Sequence, residues 1–331
     1  MSALVDGFGR AHRDLRISLT DRCSLRCTYC MPEQGLPWLP RPSMLSTDEL
    51  VRVAAVLVGM GVSEIRLTGG EPLLRADVVD VVARLAALEG PHGRPELSMT
   101  TNGLRLAELA APLRAAGLSR VNVSLDTLDP DRFARLTRRD RLPDVLTGLA
   151  AATEAGFAPV KVNAVVMREV NDDEVVDLVR FALRHGYQMR FIEQMPLDPD
   201  HRWDGAAMVT QAEILGRLRS AFRLTPLDGR GAAPARLWQV DDGPGTVGVI
   251  ASVTAPFCAA CDRLRLTADG QLRSCLFART ETDLRSAVRA GADDDAIAGA
   301  VAACLAGKRA GHGIGEPGFV QPERPMSAIG G

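Results

Sequence analysis

The reading starts from Leu15-Arg16-Ile17-Ser18-Leu19-Thr20-Asp21-Arg22-Cys23-Ser24-Leu25-Arg26-Cys27-Thr28-Tyr29-Cys30. Its first six residues alternate apolar and polar, the period of a strand with one buried face. Leu15, Ile17 and Leu19 share one side, and Arg16, Ser18 and Thr20 the other. Three thiols then fall within eight residues, spaced CxxxCxxC. Thiolates are soft ligands that suit iron–sulfur clusters, zinc or copper(I). A 4Fe–4S cluster normally takes four cysteines. Three leave one iron with an open position for a small molecule, an arrangement suited to catalysis. Structural zinc wants four protein ligands. No fourth cysteine or histidine lies in the loop, and His12 precedes the strand. One reactive thiol with two bystanders would leave the spacing unexplained.

Downstream, the pattern alternates. Ser46 opens a helix with Glu49 as its capping-box partner. Strands follow at 64–68, 97–101, 120–125, 160–166 and 188–195, separated by helices at 77–88, 106–116, 130–136, 144–155 and 172–185. Six strands alternating with helices imply βαβ units and a parallel sheet, either an open barrel or a doubly wound sheet. The strands are two-faced. One face carries Arg16, Ser18 and Thr20; Arg66, Thr68 and Gly70; Ser98, Thr100 and Asn102; Asn122, Ser124 and Asp126; and Lys161 and Asn163. A closed eight-stranded barrel fills its lumen with branched apolar side chains. This polar face instead suits a wet cavity. An unpaired buried cation is costly, so Arg16, Arg66 and Lys161 imply either an anionic ligand or internal pairing to acids such as Asp126 or Glu193. The second strand runs into Gly69-Gly70-Glu71-Pro72, where paired glycines permit close approach of backbone to a ligand or simply make a turn.

Beyond Met195 this rhythm stops. Residues 196–205 read as linker, 210–222 as a helix, and 226–248 as loops and short antiparallel strands. Cys258 and Cys261 then form a CxxC, and Cys275 follows after a hairpin turning at Ala268-Asp269-Gly270. Again there are three cysteines. A second 4Fe–4S cluster with an open iron, or a zinc site completed by His312, fits this set. Arg263 and Arg265 flank Leu264 as a phosphate clamp beside the metal, or as alternating charge on an exposed strand.

In 331 residues, 46% of them apolar, there is material for one large domain or two ordinary ones. A formal charge of −2 draws in no polyanion globally, so an anionic substrate needs locally placed arginine and lysine. Seven cysteines, six of them in two triads, indicate metal chemistry in a reducing compartment. Cys304 remains as a small buried apolar residue. Residues 1–13 hold no signal-like apolar run, and no stretch is long enough to span a bilayer. A soluble cytoplasmic protein is expected.

CxxxCxxC with an aromatic residue before its last cysteine resembles the radical S-adenosylmethionine enzymes. Arg16-Ile17-Ser18-Leu19-Thr20-Asp21-Arg22-Cys23 and Cys30-Met31-Pro32 resemble, within them, the GTP 3′,8-cyclase family of molybdenum cofactor biosynthesis. So do Gly69-Gly70-Glu71-Pro72, Thr100-Thr101-Asn102-Gly103, Asn122-Val123-Ser124-Leu125-Asp126, Lys161-Val162-Asn163, Arg190-Phe191-Ile192-Glu193, residues 257–277 and the Gly330-Gly331 end, which in the family reaches into the active site. Ser24-Leu25 stands where Asn-Phe is common and Asp262 where Asn is common, the latter beside the arginine clamp.

The resemblance implies an α/β fold: an incomplete (βα)6 TIM-like barrel over 1–196, with a C-terminal α+β iron–sulfur region over 197–331. It implies two 4Fe–4S clusters, on Cys23, Cys27 and Cys30 and on Cys258, Cys261 and Cys275. Tyr29, Gly70, Ser124 and Met195 match its S-adenosylmethionine positions. Arg16, Arg66, Thr100, Lys161, Arg263, Leu264 and Arg265 match its GTP positions. No catalytic side chain beyond the cofactors is implied. Expected partners are GTP, an external one-electron donor of flavodoxin or ferredoxin type, and the downstream cyclic pyranopterin monophosphate synthase. Neither nucleic acid nor membrane is expected, and the chain is a monomer or homodimer. A peptide- or RNA-modifying radical enzyme and an iron–sulfur electron carrier are the rival readings. The first would bring a longer cysteine-rich tail or a more basic chain, the second full cysteine ligation.

Overall fold

The computed structural model describes residues 4–198, 200–201 and 203–330; Gly331 of the expected Gly-Gly end lies outside them. Six parallel strands carry the barrel: β1 (Asp14–Ser18), β2 (Glu64–Thr68), β3 (Glu96–Thr101), β4 (Arg120–Ser124), β5 (Lys161–Val166) and β6 (Gln188–Glu193). Between them run α1 (Thr47–Gly59), α2 (Val78–Ala86), α3 (Leu106–Ala115), α4 (Pro130–Thr137), α5 (Leu142–Glu154) and α6 (Val175–His185). Each strand neighbours the next in chain order. A doubly wound sheet reverses its order at a switch point; this one does not, and the open-barrel alternative stands.

The helices form where the sequence starts them. Ser46 accepts from the Glu49 amide, and Glu49 returns to the Ser46 amide. Leu50, Val53, Ala54 and Leu57 of α1 are then buried, as are Leu15, Ile17, Ile65, Leu67, Val121, Val123 and Val162 of the strands. This is the apolar side of the alternation, and burying it is the main driving term of the fold. The other side remains for the cavity.

The last third of the chain joins the same sheet. α7 (Gln211–Arg219) precedes β7 (Leu224–Pro226), β8 (Arg236–Val240) and β9 (Thr246–Ile250). β8 is antiparallel to both β7 and β9, as expected, but β9 lies parallel on β6. β10 (Arg263–Leu266) lies parallel on β1, and β11 (Gln271–Arg273) and β12 (Thr282–Asp283) continue outward antiparallel. The region thus extends both margins of the barrel sheet. Pattern reading stopped short of this because pairing between strands distant in sequence has no local signature. α8 (Leu284–Arg289), α9 (Asp294–Ala306) and the short α10 (Met326–Ile329) complete the chain.

Candidate active site

All six cysteines of the two triads line one cavity of about 320 Å³ on the polar face of the sheet. The first triad sits on the loop leaving β1. That loop is held from two sides: Arg26 and Thr28 amides donate to the Thr137 and Leu136 carbonyls at the end of α4, and the Gly70 and Glu71 amides donate to the Thr20 and Arg22 carbonyls. A Cβ on Gly70 would stand 2.3 Å from the Arg22 carbonyl oxygen and 2.5 Å from that of Asp21. This glycine is therefore required first for seating the cysteine loop, whatever it does for a ligand. A Gly70→Ala chain is expected to lose about 1–3 kcal/mol of stability by overpacking and to retain less iron after reconstitution. An unchanged urea midpoint with full iron would remove this role.

Glu71 ties the loops together. Its carboxylate accepts from the Leu73 amide at 3.0 Å, the Thr101 hydroxyl at 2.7 Å and the Asn102 amide at 2.7 Å. Burial pushes it up to about 6 against those donors. Asn102 in turn donates to Ser24 Oγ at 3.0 Å and faces Cys23 Sγ at 3.9 Å. Tyr29 donates its hydroxyl to Asp126 at 2.8 Å, and Asp126 also accepts from the Val165 amide at 2.9 Å. Ser124, Gly70 and Met195 line the cavity beside them.

Cations gather at the other side. Register places Arg16 opposite both Arg66 and Arg265, and Asp14 opposite Arg263. Arg16, Arg66, Arg190, Arg263 and Arg265 line the cavity with Thr100. Arg263 and Arg265 are 6% and 5% exposed, so the exposed-strand alternative fails. The internal-pairing alternative is corrected in its partners. Glu193 is engaged by the Gln211, Val253 and Thr254 amides, and Asp126 by Tyr29 and Val165, because both stand at the far rim. The acid among the arginines is Asp14, 3.3 Å from Arg263 Nε and 3.9 Å from Arg16 Nε. Asp14 escaped notice because the alternation begins at Leu15. One carboxylate does not balance five guanidiniums. The Nε atoms of Arg16 and Arg66 are buried without a hydrogen-bond partner. Burial lowers Arg265 and Arg190 to about 10 each, and burial with the neighbouring Arg190, Arg120 and Arg66 lowers Lys161 to about 7. A polyanion would relieve all of these.

Two expected contacts stand apart. Lys161 is beside this group on β5, outside the residues that line the cavity. The Leu264 side chain is fully buried in the hydrophobic core, leaving only its backbone for a ligand. Asn163, expected on the polar face, lines the cavity and pairs in register with Arg190, a lining residue that the sequence shows only within the longer motif Arg190-Phe191-Ile192-Glu193. Phe257 stacks under the Arg263 guanidinium at 4.8 Å. Gly330 is buried, its carbonyl accepts from Arg265 Nη1, and a Cβ there would stand 2.4 Å from Thr68 Oγ1.

The donor sets fit iron–sulfur clusters. Burial raises Cys23, pushes Cys27 well up and lifts Cys30 to about 12, so these thiols ionise only beside strong positive charge such as iron. Among the described residues, no three His, Cys, Asp or Glu side chains converge on one ion. A zinc site would gather its ligands within about 2.3 Å of one centre, whereas each cluster cysteine binds a different iron. His312, the proposed fourth zinc ligand, is committed elsewhere: Nε2 is 2.8 Å from the Ser252 carbonyl oxygen and Nδ1 accepts from the Ile314 amide at 3.0 Å.

A parallel partial barrel with a three-cysteine loop after its first strand, facing a cavity lined by arginines and a second cysteine triad, defines a radical S-adenosylmethionine enzyme. Residues 17–182 match the Radical SAM superfamily model and residues 187–314 the Molybdenum Cofactor Synthesis C model. The chain is 60% identical to a GTP 3′,8-cyclase of Streptomyces coelicolor, across 99% of this chain and 96% of the relative, and 60% identical to one of Mycobacterium sp. strain KMS, across 99% and 93%. The chain belongs to the GTP 3′,8-cyclase family of the radical SAM superfamily. Among solved structures, Streptococcus suis SuiB bound to S-adenosylmethionine shares the fold, with a TM-score of 0.58 at 14% identity over 88% of this chain and 68% of that one. Among the described residues no helix is long and apolar enough to cross a membrane.

Proposed function

We propose that this chain converts GTP to (8S)-3′,8-cyclo-7,8-dihydroguanosine 5′-triphosphate, the first step of molybdenum cofactor biosynthesis, through two clusters facing one chamber. The observation that carries this reading is the shared cavity: two cysteine triads line it together with five guanidiniums, and three of these, Arg16, Arg66 and Arg263, have an Nε atom buried without a hydrogen-bond partner. Cys23, Cys27 and Cys30 hold the first 4Fe–4S cluster, which when bound supplies the electron that splits S-adenosylmethionine into methionine and the 5′-deoxyadenosyl radical. Gly70, Ser124, Met195 and the Tyr29 ring hold that molecule at the rim, with the Tyr29 hydroxyl kept in place by Asp126. Cys258, Cys261 and Cys275 hold the second cluster at the guanine. Arg16, Arg66, Thr100, Lys161, Arg263, the Leu264 backbone and Arg265 grip GTP, their charge offsetting the triphosphate. Held so, the ribose 3′ carbon gives up a hydrogen atom to the radical and bonds to C8 of guanine, and the N7-centred radical left on the purine takes one electron from the external donor and one proton to give the 7,8-dihydro product. The division at 196/197 assigns the first cluster to the barrel and the second to the C-terminal region. Electrons come from a separate flavodoxin- or ferredoxin-type donor in the cytoplasm, and the product passes to cyclic pyranopterin monophosphate synthase.

The test is anaerobic reconstitution followed by turnover with GTP, S-adenosylmethionine and dithionite, comparing wild type with Cys261→Ala. The variant is expected to release 5′-deoxyadenosine but form no cyclised product. Retained product would refute the second site, and an absence of product from the wild type would refute the reading as a whole.

A further inference from the structure

Lys308 lies outside the cavity lining yet reaches the second cysteine triad. It follows α9, is 6% exposed, and donates from Nζ to the Arg263 carbonyl at 2.9 Å, with Cys261 Sγ at 3.9 Å. The Arg263 guanidinium approaches the same sulfur, Nη1 to Sγ 3.7 Å. The segment carrying Lys308 is clamped against the cysteine loop. Arg10 donates to the Cys258 carbonyl at 2.7 Å, to that of Ala310 at 2.9 Å and to that of Arg309 at 2.8 Å. Asp6, 2.6 Å from Arg10 Nε and 3.0 Å from His12 Nε2, anchors that clamp.

At the first triad, among the described residues, no cation donates to a sulfur: Arg26 is near but gives its Nη1 to the Cys23 and Leu25 carbonyls. Among the described residues, the donors to Cys23 Sγ are the Leu25 amide at 3.4 Å and the Asn102 side chain at 3.9 Å, both neutral. Nearby stand two carboxylates, Glu71 and Asp126, held by backbone amides. Cluster potentials follow net charge, burial and hydrogen bonds to sulfur. A cation at a ligand sulfur favours the reduced, more negative state.

We infer that Lys308 is a positioning residue of the second cluster, whose ammonium at the Cys261 sulfur raises that cluster's reduction potential without touching substrate. This rests on the two-cluster reading above. Walled off from the cavity, Lys308 tunes the centre from behind, whereas Arg263 serves the sulfur and the chamber together.

The experiment is a dye-mediated redox titration followed by electron paramagnetic resonance on the full reconstituted chain. It is repeated in the Cys27→Ala chain, where only the second cluster remains. In Lys308→Gln, the ratio of reduced to oxidised second cluster at a fixed potential is expected to fall at least tenfold, ~59 mV for a one-electron couple. The first cluster's titration stays put, and Lys308→Arg restores the wild-type ratio. An unmoved second cluster in Lys308→Gln, or an equal shift in Lys308→Gln and Lys308→Arg, overturns the inference. If Lys308→Gln does not hold the second cluster, iron analysis decides: loss in that variant alone supports the charge role, and loss in both variants overturns it. A wild-type chain with a single cluster would instead sink the reading beneath.

Discussion

In a Cys27→Ala chain, release of 5′-deoxyadenosine is expected to fall to background, with or without GTP. Cys27 is the middle ligand of the first triad, and the loop offers no substitute: Ser24 is engaged by Asn102, and Thr28 faces solvent. Removing one of three thiolates from a centre that already has one open iron leaves two, too few to retain the cluster. Without it, S-adenosylmethionine has no iron to bind and no cluster at its own site to pass it an electron, the second cluster standing at the guanine. Enzymatic acceleration is worth roughly 8 kcal/mol or more, so nothing measurable should survive. Iron should fall by half, since Cys258, Cys261 and Cys275 remain. Quantifying 5′-deoxyadenosine by chromatography alongside iron and sulfide checks both halves. Wild-type release would show that the CxxxCxxC loop is not the site of cleavage.

The second large effect belongs to Arg265. This side chain is 5% exposed, lines the cavity, and stands in register beside Arg16. Its visible protein partner there is the Gly330 carbonyl. Truncating one member of a buried, hydrogen-bonded charge pair costs about 2–5 kcal/mol, and each 1.4 kcal/mol is about tenfold in affinity. Arg265→Ala should therefore weaken GTP binding by roughly 30- to 3,000-fold, with guanosine affected far less because it carries no triphosphate. Calorimetry with both ligands separates the outcomes. A parallel loss for GTP and guanosine would move the triphosphate away from β10. Because Arg265 also holds Gly330, part of the loss is expected to come from a displaced C-terminal segment. Lys at this position would keep the charge without the planar fork, so Arg265→Lys should recover only part of the affinity.

The arginine group explains why this site tolerates so much positive charge. Arg16, Arg66, Arg190, Arg263 and Arg265 line one cavity wall, and Asp14 pairs with Arg16 and Arg263 behind it. Their mutual repulsion destabilises the empty chamber and favours a polyanion entering it. On the proposed reading, this local geometry recruits GTP to a chain whose formal charge is −2.

Much of this was legible in contiguous residues. The alternation in Leu15 to Thr20, the spacing of Cys23, Cys27 and Cys30, the capping box at Ser46 and the hairpin between Cys261 and Cys275 are local codes, set by backbone period and ligand chemistry. They determined a βα architecture, a polar inner face and two three-cysteine groups. Tertiary structure alone decided the rest. β9 and β10 attach to opposite margins of one sheet, so Arg265 meets Arg16 across 249 positions of sequence. The counter-charge is Asp14 and not Glu193, because register, not composition, sets which charges share a layer. Gly70 proved to be a packing requirement of the cysteine loop, and Lys308 a neighbour of Cys261. Electrostatics and packing act through space, and only the folded chain brings those distant groups within a few ångströms.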